Sequence, residues 1–212
     1  MAITLETVRQ ALQMANFDGR SAQLKMAPIL RQNIRPPGNP GQPRVGSVLI
    51  LLYCQHDELY LVLTRRRDDM RSHAGQISFP GGKREPDEPL ATTALRETDE
   101  EIGVPAFQLT ILGQLTPIYI MPSDFEVHPF VAWHTNGKRP IFRPAVTEVA
   151  EIIEAPLNHL LDPSTRREEM WQLRGRDLLV PFFHIGSHKV WGATAMMMSE
   201  FLERIRTVSN IP

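Results

Sequence analysis

The chain has one cysteine, almost no net charge and no long apolar run, and each shortage removes a class of function. Cys54 alone cannot close an internal disulfide, which agrees with a reducing compartment. It ends an apolar, strand-like run and reads as a small buried hydrophobe rather than a nucleophile. The 23 Lys and Arg nearly balance the 24 Asp and Glu, for a formal net charge of −1. No global field therefore recruits nucleic acid or an anionic membrane. The longest uninterrupted apolar stretch, Val48 to Cys54, falls far short of the ~20 residues of a membrane helix. The start, MAITLETVRQ, shows no basic stretch leading into an apolar core, so no signal peptide is expected and the expected location is cytoplasmic. Neither Cys-x-x-Cys nor His-Glu-x-x-His occurs, and Gly186-Ser187 separates His184 from His188, so zinc is not expected. Ser78 stands in no G-x-S-x-G elbow. Internal repeats and low-complexity tracts are absent as well.

What is present suits one α/β domain with an N-terminal extension. Thr4 to Ala15 predicts a helix capped by Thr4, with Leu5, Val8, Leu12 and Met14 as its apolar stripe. The Pro- and Gly-rich run from Asn33 to Pro43 must be extended or looped. Residues 1–44 therefore read as an arm that packs on its own core or on a second subunit, which leaves a homodimer open; residues 45–206 read as the main domain. Val45 to Cys54 and Leu59 to Thr64 predict an antiparallel pair turning at QHDE. A short strand is expected over Gly75 to Phe79, then longer ones over Gln108 to Ile120, Glu126 to His134 and Glu148 to Leu157. Asn158 to Ser164 suggests a turn or short helix, and Leu178 to Ile185 with Lys189 to Trp191 a final hairpin. Gly192 to Arg206 closes the chain as a helix with Ala195, Met198, Phe201, Leu202 and Ile205 on one face. Its methionines read as core filler. This mixture predicts an α/β (α+β) fold, a mixed sheet with helices packed on it.

One stretch resists a purely structural reading. Gly82 to Val104, GKREPDEPLATTALRETDEEIGV, carries Glu88, Glu97, Glu100 and Glu101. On a helix advancing ~100° per residue, Glu97, Glu100 and Glu101 fall within one ~100° arc. Ala91, Leu95, Thr98 and Ile102 fall on a separate face, and Glu88 falls outside the acidic arc. Like charges at i,i+4, such as Glu97 and Glu101, destabilise a helix by roughly 0.2–0.5 kcal/mol. The helix dipole disfavours acids in the last turn as well. A hard divalent cation reverses both penalties, and carboxylate oxygens suit Mg²⁺ or Mn²⁺. The alternative is a solvated acidic face.

Gly82, Glu88, Arg96, Glu97, Glu100, Glu101, Gly103 and Val104 resemble the Nudix box, G-x5-E-x7-R-E-U-x-E-E-x-G-U with U a bulky aliphatic. Only Thr98 departs, at the first U. It lies on the core face, and its hydroxyl can bond the carbonyl one turn back. Upstream, Leu63-Thr64-Arg65-Arg66 and His73-Ala74-Gly75-Gln76-Ile77-Ser78-Phe79-Pro80-Gly81-Gly82 resemble the motif of the coenzyme A pyrophosphatase branch. That branch commonly has Ser where this chain has Arg67, which is expected to add a cation near the diphosphate. Glu148-Val149, Ala155-Pro156-Leu157 and Trp191-Gly192-x-Thr194-Ala195 extend the likeness to roughly residues 45–203.

The resemblance implies a Nudix fold, its mixed sheet sandwiched between helices, and a Mg²⁺- or Mn²⁺-dependent hydrolase of coenzyme A and its derivatives. The implied products are 3′,5′-ADP and 4′-phosphopantetheine, and the implied partner is a small CoA-like molecule rather than nucleic acid or membrane. Glu97, Glu100 and Glu101 become the expected metal ligands, Arg96 the residue orienting them, and Glu88 a structural anchor. Arg66 is expected to clamp a phosphate or simply to solubilise its loop. His73 either bonds a phosphate or orders its loop. Gln76 is expected to satisfy backbone groups, and Gly81 and Gly82 to let the backbone approach a phosphate or a metal. The general base is either a helix glutamate or Glu148. Two other readings stand beside this one: hydrolysis of another nucleoside diphosphate derivative, such as ADP-ribose, NADH or a dinucleoside polyphosphate, and a nucleotide-binding Nudix domain without turnover.

Overall fold

The apolar run Val48 to Cys54 becomes the middle of strand β1 (Arg44–Gln55) in the computed structural model, which describes residues 3–28, 42–69, 74–173 and 175–211. Both faces of β1 are covered, as a continuous apolar strand requires. Leu49, Leu51 and Tyr53 join one apolar cluster, and Ile50 and Leu52 the other. The first cluster lies under helix α3 (Leu90–Ile102), the second under α5 (Gly192–Ser209).

β1 turns into β2 (Glu58–Arg66) through His56 and Asp57, both with φ near +50° to +60°. Two left-handed residues between Gln55 and Glu58 make the tight turn that matches strand twist. The two strands then part. β1 pairs with β2 over Leu52 to Gln55, but with β4 (Gly81–Lys83) over Gly46 to Val48. β2 in turn pairs with β3 (Ile77–Ser78) at Thr64 and Arg65. The segment from Ile77 to Lys83 thus fills the gap between diverging strands, with the Leu49 N–H donating to Pro80 O across 2.8 Å.

The other edge of β1 runs parallel to β7 (Phe125–His134), from Arg44 opposite Phe125 to Leu52 opposite Trp133. β7 also pairs with β5 (Leu109–Gln114) and β6 (Ile118–Ile120), and β8 (Val149–Pro156) pairs with β2. The single strand expected over Gln108 to Ile120 is therefore two. Pro117, which has no N–H to give a ladder, lies between them.

A second sheet, β11-β10-β9, is made of β9 (Arg166–Leu173), β10 (Arg176–Ile185) and β11 (His188–Trp191). β9 was not expected. Its sequence RREEMWQL lies mostly exposed at an edge and so carries no apolar alternation. Helix α4 (Leu157–Leu161) and a 3₁₀ turn at Pro163–Thr165 occupy the expected short helical region.

Helix α1 (Leu5–Leu12) is capped by the Thr4 hydroxyl, which accepts from the Thr7 N–H. A further helix, α2 (Gly19–Leu24), follows and was not expected. Both pack on α5, so the described part of the arm lies on its own core. The contact is polar at its centre. Fully buried Glu200 accepts from the Gln23 side-chain amide (2.8 Å), the Thr116 hydroxyl (3.0 Å) and Arg204 Nε (3.0 Å). Arg204 also lies over the Phe17 ring. This cover explains why α5 is buried around nearly its whole circumference, Met196, Met197 and Met198 included, rather than on one face. Cys54 is partly buried against the larger core. No helix among the described residues is long and apolar enough to cross a membrane.

Candidate active site

The acids lie on α3 where it passes over β4, and they occupy three depths. Glu100 keeps 58% of its side chain exposed, Glu97 17% and Glu101 6%. The helical period alone groups them in one arc. Packing separates them, because Glu101 shares the buried side with Ala94, Thr98 and Ile102. Thr98 resolves its own departure from the box pattern: its hydroxyl donates to Ala94 O at 2.7 Å within the core.

Glu88 lies before the helix, which starts at Leu90, so its separation from the other acids comes from the preceding turn rather than from helical phase. Its carboxylate accepts from Arg96 (2.9 and 3.1 Å), the Thr93 hydroxyl (2.8 Å) and the Glu85 N–H (3.2 Å). The Arg96 and Thr93 donors hold its pKa down to about 2 against the pull of burial. Arg96 in turn reaches Glu97 (2.9 Å), Glu100 (3.1 Å) and Lys83 O (3.2 Å). One guanidinium therefore joins the approach to the helix, β4 and two of the three acids.

Gly82 is needed for that closeness. A Cβ there would lie 2.3 Å from the Glu97 carboxyl carbon, so any larger residue would displace that carboxyl. Gly81 faces Glu101, whose carboxyl pKa is pushed up to about 8. Burial is the main cause; Arg66 opposes it, Glu97 and Glu148 add repulsion, and the Gly81 N–H opposes it weakly. Glu97 is raised too, mainly by burial, with Arg96 opposing and Glu100 and Glu148 adding to it.

Arg66, at the end of β2, sits between two carboxylates. Its Nη1 is 3.9 Å from Glu101 Oε1 and its Nη2 4.0 Å from Glu148 Oε2. Neither is a short hydrogen bond, and Arg66 Nε and Glu101 Oε2 are buried with no hydrogen-bond partner among the described residues. Glu148 is half-exposed, just before β8. The Gln76 carbonyl accepts from the Arg66 N–H at 2.9 Å, tying β3 to β2. His73 lies outside the described residues. Arg67, expected to add a cation near the diphosphate, has its guanidinium bound to Asp69 (2.8 and 2.7 Å) and Val146 O (2.9 Å).

In the loop between β7 and β8 the sequence reading marked only Glu148, at its end. The loop closes the C-terminus of α3, the Arg143 and Ala145 amides donating to Ile102 O (2.8 Å) and Glu101 O (2.9 Å). Gly103 at φ +70° ends the helix, and a Cβ there would lie 2.6 Å from Arg143 Cβ. No periodic signal announces such a loop.

The donor set fits a hard divalent cation. Glu101 offers an oxygen with no hydrogen-bond partner among the described residues, and the carboxyl pKa values of Glu97 and Glu101 are both raised by burial and by nearby carboxylates, a penalty that an added positive charge relieves. Among the described residues no three acidic, histidine or cysteine side chains already converge tightly enough to cage an ion, and Glu100 is held by Arg96. A shallow cleft of about 340 Å³ lies alongside, lined by Val45, Lys83, Arg84, Glu85, Pro86 and Asp87.

Known proteins agree with this architecture. The NUDIX domain family matches residues 43–173, more than half of the chain. An uncharacterized Nudix hydrolase NudL from Photorhabdus laumondii is 35% identical over 164 residues, covering 77% of this chain and 86% of that one. The NudL of Yersinia enterocolitica is 33% identical over 194 residues, covering 91% and 97%. Among solved structures, the Nudix hydrolase RenU from M. smegmatis shares the fold with a TM-score of 0.54 at 18% identity, over 81% of this chain and 89% of its own. With a mixed sheet flanked by helices, and the box acids gathered where α3 crosses the glycines of β4, the chain belongs to the Nudix hydrolases, enzymes that act on pyrophosphate bonds.

Proposed function

We propose that the protein hydrolyses the diphosphate of coenzyme A and its derivatives, releasing 3′,5′-ADP and 4′-phosphopantetheine or its acyl form. One juxtaposition supports this reading. The upstream motif that resembles the coenzyme A branch contributes Arg66, Gly81 and Gly82, and these residues lie against the box acids Glu101 and Glu97. Residues of the branch-like motif thus lie beside the box acids.

In this reading Glu97, Glu100 and Glu101 hold Mg²⁺ or Mn²⁺, which when bound supplies charge neutralisation at the diphosphate and acidifies water. Arg66 grips a phosphate oxygen through the N–H groups that have no short partner. Arg96 keeps Glu97 and Glu100 oriented and is itself fixed by Glu88. Glu148, half-exposed on the far side of Arg66, accepts the proton of the attacking water.

The test is a substrate panel. The protein is incubated with Mg²⁺ or Mn²⁺ and CoA, acetyl-CoA, ADP-ribose, NADH or a diadenosine polyphosphate, and the products are separated chromatographically. Release of 3′,5′-ADP from CoA is expected. Intact CoA beside cleaved ADP-ribose overturns the substrate assignment.

A further inference from the structure

The Glu148 carboxylate makes no close hydrogen bond among the described residues, so the backbone alone fixes where its side chain starts. That backbone is tied at both groups. Ala145 donates to Glu101 O at 2.9 Å, Glu148 donates to Ala145 O at 2.9 Å, and Glu148 O accepts from the Arg67 N–H at 3.0 Å. Three successive backbone bonds therefore connect the buried acid of α3 to the end of β2. The Arg67 side chain closes the same segment a second time, through Nη1 to Val146 O, while Asp69 holds its fork from behind. Apolar packing gives the segment little help, because Val146 is 73% exposed and Ile141 81%.

The strands add a bulge at this point. β2 and β8 shift register between Arg65, opposite Glu151, and Arg66, opposite Val149. An extra residue in a ladder re-aims its neighbours, and here it leaves Arg66 facing Glu148.

We propose that Arg67 is a positioning residue for hydrolysis: its guanidinium, aligned by Asp69, clamps the backbone from Val146 to Glu148 and thereby aims the Glu148 carboxylate at the space beside Arg66 and Glu101. This inference rests on the reading above, in which Glu148 takes the proton of the attacking water. Arg67 touches no substrate. It acts through the loop it binds.

A double-mutant cycle tests it, run on whichever diphosphate the panel shows to be cleaved. Arg67→Ala is expected to lower kcat about tenfold while KM and the thermal midpoint stay nearly unchanged. Arg67→Lys recovers little, since a point-like ammonium cannot hold Asp69 and Val146 in one fork. In an enzyme already carrying Glu148→Ala, adding Arg67→Ala costs no further rate, because coupled residues are not additive. Additive losses, a rise in KM with kcat intact, or a Glu148→Ala enzyme of wild-type kcat overturn the proposal. Amide hydrogen exchange supplies a reading independent of substrate. Arg67→Ala is expected to speed exchange at Glu148 and Val149 at least tenfold and to leave Arg143, which is bonded to Ile102 O, unchanged. Unaltered exchange at Glu148 and Val149 overturns the clamp whatever the substrate, whereas an uncleaved CoA overturns only the function.

Discussion

Arg66 and Glu101 face each other at 3.9 Å, and each keeps one buried polar atom, Nε on one side and Oε2 on the other, without a hydrogen-bond partner among the described residues. An orphaned buried polar group costs about 1–3 kcal/mol. In the proposed function, a cation at Glu101 and a phosphate oxygen at Arg66 would satisfy both atoms at once, as a metal–diphosphate complex would.

Glu101→Gln keeps the shape of the side chain and removes its charge. Turnover of the diphosphate substrate is expected to fall by at least ~10², several kcal/mol of lost stabilisation. The thermal midpoint at pH 8 without divalent ions should rise, because a buried acid raised to about 8 gains its proton on folding. Such a group stabilises the fold below about 4.5, and that stability drains away as pH climbs from there to about 8. The wild type should therefore lose more stability than Glu101→Gln between pH 5 and 8. Kinetics and melts on both proteins check this; near-normal turnover by a folded Glu101→Gln would sink the metal assignment.

Gly82→Ala pushes a methyl group into the Glu97 carboxyl, 2.3 Å from its carbon. Glu97 and Arg96 must give way, so activity should drop about tenfold or more. The fold should lose only about 1–3 kcal/mol, the usual cost of overpacking. Steady-state rates set beside a urea titration separate the two effects. Equal rates for Gly82→Ala and wild type would show that Glu97 needs no fixed place.

Glu88 has its pKa lowered to about 2 from 4.5, by Arg96 first and then Thr93. Its contribution is full above 4.5 and fades as pH falls toward 2. Wild type should thus exceed Glu88→Gln in stability at pH 6, and the gap should narrow as the solution is acidified. A constant gap from pH 6 down to pH 3 would contradict the ion pair.

Glu200→Gln leaves Arg204 buried without its counter-charge at the contact of α5 with α1 and α2. Breaking one partner of a buried pair costs about 3–5 kcal/mol, and at this chain length each kcal/mol lowers Tm by roughly 2–4 °C. A fall of roughly 6 °C or more by calorimetry is expected. The kcat of the molecules still folded should not change, since this network contacts none of the box acids. A melt unchanged from wild type would mean that Gln23 and Thr116 suffice to hold the arm.

The chain's own order of residues determined a great deal. Val45 to Cys54 read as a strand paired with Leu59 to Thr64, Thr4 as the cap of the helix that follows it, and the Gly82–Val104 spacing as acids sharing one helical arc. Those are local matters: turn chemistry, helical period and apolar alternation act within a few residues. Tertiary structure decided what periodicity cannot carry. It buried Glu101 while leaving Glu100 in water, because β4 and its glycines cover one side of α3 only. It enclosed α5 by laying α1 and α2 over the face that the sequence leaves polar, with Glu200 and Arg204 paired beneath them. It added β9, an exposed edge strand without alternation, and engaged Arg67 with Asp69 and Val146. Each of these depends on partners far apart in sequence, and only the closed chain brings them within reach.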